Sequence, residues 1–152
     1  MEVSAMLGLL ASAFLGATLL PGASEAVLVG LLAAGEGSAA MLVGVATLGN
    51  VLGSCVNFVC GRFLLHFSDR RWFPVSPAAL TRYSRFYRRY GIWTLLLSWM
   101  PIIGDPLTVL AGAARTPLTF FLVLVTAGKL ARYALLAALT VEYVDSAALV
   151  AG

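Results

Sequence analysis

Hydrophobic and polar positions divide the 152-residue chain into five apolar stretches: residues 3–20, 26–34, 39–61, 91–114 and 117–141. A helix that crosses the hydrocarbon core of a bilayer needs about 20 apolar residues. Residues 39–61 and 117–141 meet that length without a break, and residues 26–34 do not reach it. Residues 91–114 are long enough in total, but Pro101, Gly104, Asp105 and Pro106 interrupt their middle. The first two stretches are parted by LLPGASE, where Pro21, Gly22 and Glu25 stand between apolar segments. Pro and Gly free backbone polar groups, and a carboxylate is costly in hydrocarbon, so both breaks demand a polar setting at depth.

Residues 63–90 follow another pattern. Ser76-Pro77 has the form of a helix start, with Ser as cap and Pro in the first turn. Tyr83, Phe86, Tyr87 and Tyr90 then recur at helical spacing, interleaved with Arg82, Arg85, Arg88 and Arg89. Aromatics on one flank and arginines on the other describe a helix lying in the headgroup layer. The same arginines are a signal that holds this loop on the cytoplasmic side.

Composition narrows the class. Hydrophobic residues make up 61% of the chain, charged residues 11%, and mean hydropathy is +0.94; soluble domains carry about 25% charge. An all-α integral membrane protein is expected, with a single membrane domain over residues 1–145 and a tail over 146–152. Net charge is only +3, and the arginine cluster is hemmed in by apolar runs. Anionic lipid headgroups are therefore the expected partner, and nucleic acid is not. Cys55, Cys60 and the single His66 show no metal or redox spacing, so no metal or cofactor is expected, and the cysteines read as small packing residues. MEVSAML has no basic start, so the first stretch is expected to stay in the mature protein.

Two topologies fit the five stretches. Either all broken stretches span, giving four crossings, or residues 3–34 and 83–115 are re-entrant hairpins beside two true crossings. With the arginine-rich loop inside, four crossings place Arg115 outside. Two hairpins place Arg115 inside and both termini outside. Residues 1–61 and the tail hold no Lys or Arg, so the hairpin arrangement leaves no basic residue in an outside loop and is the one expected.

The breaks also match as a pair. Pro21 precedes Glu25 by four residues, as Pro101 precedes Asp105, and Gly49-Asn50 follows the first at nearly the distance of Gly128-Lys129 from the second. The chain reads as two inverted repeats, residues 1–62 and 83–145, each a hairpin plus one crossing, with the basic helix between them. Inverted repeats with broken helices meeting at mid-membrane are a transporter pattern. Lys129 and Arg132 lie within the last apolar stretch, three residues apart and so on one helix face. Each costs about 2.5–3.5 kcal/mol at the bilayer centre on insertion scales. Glu25 and Asp105 are the acids available within apolar segments, so both tips are expected to converge on Lys129 and Arg132. Asn50 is expected to line that chamber. Pro21, Gly22, Pro101 and Gly104 would supply polar backbone there. Gly49, Gly53, Asn57 and Gly61 recur every four residues, a stripe expected to pack closely against a neighbouring helix.

FLGATLLPGASE, GNVLG, Gly61-Arg62, LLLSWMPIIGD, AGAAR ending at Arg115, and GKLARY together resemble a YqaA-type member of the DedA family, within the wider group bearing a VTT or SNARE-associated Golgi domain. The resemblance runs from about residue 14 to residue 133. It implies a bacterial inner-membrane protein with two re-entrant hairpins, linked to envelope integrity and to proton-dependent movement of lipids, undecaprenyl phosphate among them. Many members carry an acid directly after Pro-Gly, where this chain has Ala23, and two arginines around the second proline, where it has Ser98 and Gly104. Lys129, Arg132 or Arg115 would then supply the positive charge.

The expectation is a small lipid or lipid-carrier translocase. Lys129 and Arg132 would bind an anionic headgroup, while Glu25 and Asp105 exchange protons. A homodimer is a candidate way of walling the chamber. The rival is a non-transporting protein that supports the envelope or membrane-protein assembly. An enzyme is not expected, since the chain shows no Ser–His–Asp set and no CDP-alcohol phosphotransferase signature.

Overall fold

The computed structural model describes residues 3–18, 22–64, 77–100 and 103–151. Pro21, His66, Arg70, Arg71, Ser76 and Pro101 lie outside them. All regular structure among the described residues is helical: α1 (Val3–Thr18), α2 (Ala23–Ala33), α3 (Ala39–Leu64), α4 (Pro77–Tyr90), a 3₁₀ segment (Gly91–Trp99), α5 (Gly104–Ala113) and α6 (Leu118–Ala151). Two stretches, Ala39–Phe63 in α3 and Leu118–Leu149 in α6, are long and apolar enough to cross a membrane. At 1.5 Å per residue α3 and α6 measure about 39 and 51 Å, against about 30 Å of hydrocarbon. On the same scale α1 and α2 reach about 24 and 17 Å, too short to cross alone.

The chain forms two compact units, Met1–Gly53 with Lys129–Gly152, and Ser54–Gly128. In the first, α1 packs on α2. The glycine stripe shows its use here: a Cβ at Gly49 would stand 2.5 Å from the Leu10 carbonyl oxygen, and one at Gly53 would stand 2.6 Å from that of Phe14. Only glycine lets α3 approach the α1 backbone that closely. Leu9, Leu28, Leu42, Ala46, Tyr133 and Ala137 form the buried centre of this unit. Gly22, with φ +96°, opens α2. At the other end the N–H groups of Gly35 and Glu36 donate to the Leu32 and Leu31 carbonyls, with Gly35 at φ +70°. This is a Schellman ending with glycine in the left-handed position.

In the second unit α4, the 3₁₀ segment and α5 pack on one another. Gly91, at φ +66°, ends α4. The Phe58 and Phe121 rings meet with centroids 4.4 Å apart. A Cβ at Gly61 would collide with the Val109 backbone and one at Gly112 with that of Phe58, so α3 and α5 also touch through glycines. α5 ends as α2 does: Arg115 and Thr116 donate to the Gly112 and Ala111 carbonyls, but the left-handed residue is Arg115, at φ +55°.

Candidate functional site

α6 presents Lys129, Arg132 and Tyr133 on one face, since i, i+3 and i+4 positions are neighbours on a helix. The Lys129 ammonium donates to Asn50 Oδ1 from α3. Asn50 Nδ2 donates to the Tyr133 hydroxyl at 2.9 Å, and that hydroxyl shares a hydrogen bond of 2.8 Å with Ser24 Oγ from the first turn of α2. All four side chains are buried, Lys129 to 4% and Tyr133 to 2% exposure. One residue along α2, Glu25 forms an ion pair with Arg132. Those two side chains remain 29% and 23% exposed, so a small group can still reach them. The first turn of α2 is thus held by two adjacent α6 residues through two kinds of bond. A carboxylate there also faces the positive end of the helix dipole.

Four of the expected residues, Glu25, Asn50, Lys129 and Arg132, therefore come together in the first unit. The pairing is more specific than the sequence reading: Glu25 meets Arg132, while Lys129 is bonded to Asn50. Tyr133 and Ser24 were not foreseen. Tyr133 stands one position after Arg132, and its spacing from Lys129 was the available signal.

Asp105, Gly104 and Arg115 belong to the second unit. Asp105 is half-buried in the first turn of α5, and its carbonyl accepts from the Thr108 hydroxyl at 2.7 Å. Gly104 is buried, and a Cβ there would strike the Ser98 carbonyl. No arginine fits at that position without moving the 3₁₀ segment. Ser98 itself is buried, and its hydroxyl has no hydrogen-bond partner among the described residues. Arg115 is exposed, and beside it Thr116 Oγ1 meets the buried Tyr87 hydroxyl at 2.5 Å, tying α4 to the α5–α6 turn. Arg82, Arg85, Arg88 and Arg89 are exposed on α4, with Tyr87 on its buried side. Both cysteines carry free thiols and are half-buried. Pro21 and Pro101 lie outside the described residues.

Among the described residues all regular structure is helical, and two helices of spanning length and apolar character, one of them bearing much of a polar and ionic cluster, are consistent with an all-α membrane protein. The VTT domain model matches residues 20–141. The chain is 45% identical over 144 residues to "Inner membrane protein YqaA" of Escherichia coli K12, covering 93% of this chain and 94% of that one, and the Shigella flexneri protein of that name matches equally. It is 34% identical over 139 residues to an uncharacterized protein of Haemophilus influenzae, covering 87% and 85%. No solved structure matches. The chain belongs to the VTT-domain family, the DedA family of membrane proteins.

Proposed function

We propose that this chain is a bacterial inner-membrane translocase for lipids or a lipid carrier with an anionic headgroup, phospholipid or undecaprenyl phosphate in class. The observation that carries the reading is the partly exposed Glu25–Arg132 pair beside a buried chain of hydrogen bonds. Ionisable groups inside a membrane are functional by default. A phosphate that reaches Arg132 competes with Glu25 for the guanidinium, and the released carboxylate is free to take a proton. Lys129, held on Asn50, adds positive potential without being the first point of contact. Asp105, at the matching position of the second repeat, takes the corresponding role in its own unit. Arg115 and the α4 arginines gather anionic lipid at the surface.

In this reading α1–α2 is one re-entrant hairpin and the 3₁₀ segment with α5 is the other, each followed by one crossing. Two observations support this reading: α2 and α5 end in the same Schellman motif, as matching parts of a repeat would, and α1 and α2 are each too short to span, as a re-entrant hairpin requires. The basic loop is cytoplasmic, and a homodimer supplies the remaining wall.

Reconstitution tests this. Liposomes holding the purified protein move a fluorescent anionic phospholipid or prenyl phosphate faster than empty vesicles, and Arg132→Gln reduces the rate at least about tenfold, the equivalent of about 1.4 kcal/mol. A rate equal to that of empty vesicles rejects the translocase and leaves a supporting role in the envelope.

A further inference from the structure

An open groove of about 750 Å³ lies in the first unit, and neither Glu25 nor Arg132 lines it. Its walls are Ala39 and Val43 of α3 and Ala134 and Ala138 of α6, and its rim carries Glu142 and Asp145. Along α6 the lining runs from Ala134 to Leu149; the part that precedes Glu142 covers eight residues, about 12 Å, which takes much of an alkyl chain. Alanines keep it open, since longer side chains at those positions would fill it.

The rim has one sign of charge. Glu142 and Asp145 are three apart and share a helix face, and both are exposed. No Lys or Arg follows Arg132, and none precedes Arg62. The only lysine and arginine of this unit are therefore Lys129 and Arg132, both engaged elsewhere. Arg132 stands ten residues before Glu142, about 15 Å along the helix. The rim carboxylates thus have no cation of their own unit at hand. Depth agrees with charge: with Leu118 at one edge of the hydrocarbon, Ala134 stands about 24 Å along α6 and Ala138 about 30 Å, so the alanine wall starts within the roughly 30 Å of hydrocarbon and reaches its far edge. Glu142, about 36 Å along, then stands in the headgroup layer beyond it.

We infer that this groove binds a lipophilic cation, an amphiphile with one long alkyl chain and an ammonium head. The chain lies along Ala134 and Ala138, and the head stands against Glu142 and Asp145. An anionic amphiphile of equal length is repelled at the rim. This site is opposite in charge preference to the Arg132 site and does not depend on it.

The test is equilibrium binding of radiolabelled dodecyltrimethylammonium to the full chain in zwitterionic nanodiscs, with dodecyl phosphate as the matched anion. The expected result is saturable binding of the cation and none of the anion. Glu142→Gln with Asp145→Asn weakens it at least about tenfold, the equivalent of about 1.4 kcal/mol, and high salt weakens it too. Ala138→Phe, at an exposed lining position, abolishes it with thermal stability unchanged. Arg132→Gln leaves it intact, which separates it from the translocation reading. Equal retention of dodecyl phosphate, or undiminished binding by the neutralised rim, overturns the inference. Loss of a dimer on Ala138→Phe with cation binding unaltered also overturns it, and assigns the groove to a second copy.

Discussion

Tyr133 is the residue on which the buried chain turns, since its hydroxyl meets both Asn50 and Ser24. Tyr133→Phe removes both bonds and keeps the ring in the core. The expected cost is about 1–3 kcal/mol, the usual penalty for taking a partner from buried polar groups, read as a lower unfolding temperature in detergent. Arg115 makes the opposite prediction. An arginine at φ +55° holds a conformation that costs a side chain about 1 kcal/mol and costs glycine almost nothing. Arg115→Gly therefore leaves the protein as stable or more so, and any loss of lipid movement in that variant belongs to the guanidinium. Lys129, Arg132 and Glu25 stood out in the sequence because charge is rare in apolar runs. Tyr133 and Ser24 did not, because a tyrosine and a serine are ordinary in a membrane helix.

Among elements, α3 and α6 were the most legible. Residues 39–61 and 117–141 read as crossings, and the helices run Ala39–Leu64 and Leu118–Ala151. α6 continues past the apolar stretch because Ala147, Ala148 and their neighbours favour helix without needing lipid. The start of α4 at Pro77 was also legible. The 3₁₀ segment was not: Gly91–Trp99 is as apolar as any spanning helix, and its tighter winding has no mark in composition. Close contact of α3 with α1 rests on the glycine stripe. Gly49→Ala places a methyl against the Leu10 carbonyl and is expected to lower stability by about 1–3 kcal/mol through overpacking, measured by the same thermal shift. For α4 the claim is electrostatic. Adding anionic lipid to zwitterionic micelles should raise the unfolding temperature. The gain should shrink in Arg85→Gln/Arg88→Gln/Arg89→Gln and in high salt, since each arginine near an anionic surface contributes about 1 kcal/mol.

For the whole molecule, family membership is shown by the matches, and the two helices of spanning length agree with a helical membrane protein, while lipid movement through it is the proposal. The sequence showed which charges had to be satisfied within apolar segments. It did not show which acid meets which base, because pairing depends on how helices rotate against each other, and spacing along one helix leaves that open. The Glu25–Arg132 pairing now makes a sharper experiment available than neutralising either residue. A pair that only docks α2 on α6 works in either polarity, as buried ion pairs that fix packing do. A pair whose arginine must accept a phosphate does not. The deciding measurement is the flip rate of a fluorescent anionic phospholipid in liposomes containing Glu25→Arg/Arg132→Glu. The account predicts a folded protein that moves no more lipid than Arg132→Gln, and a reversed pair that restores the wild-type rate would contradict it.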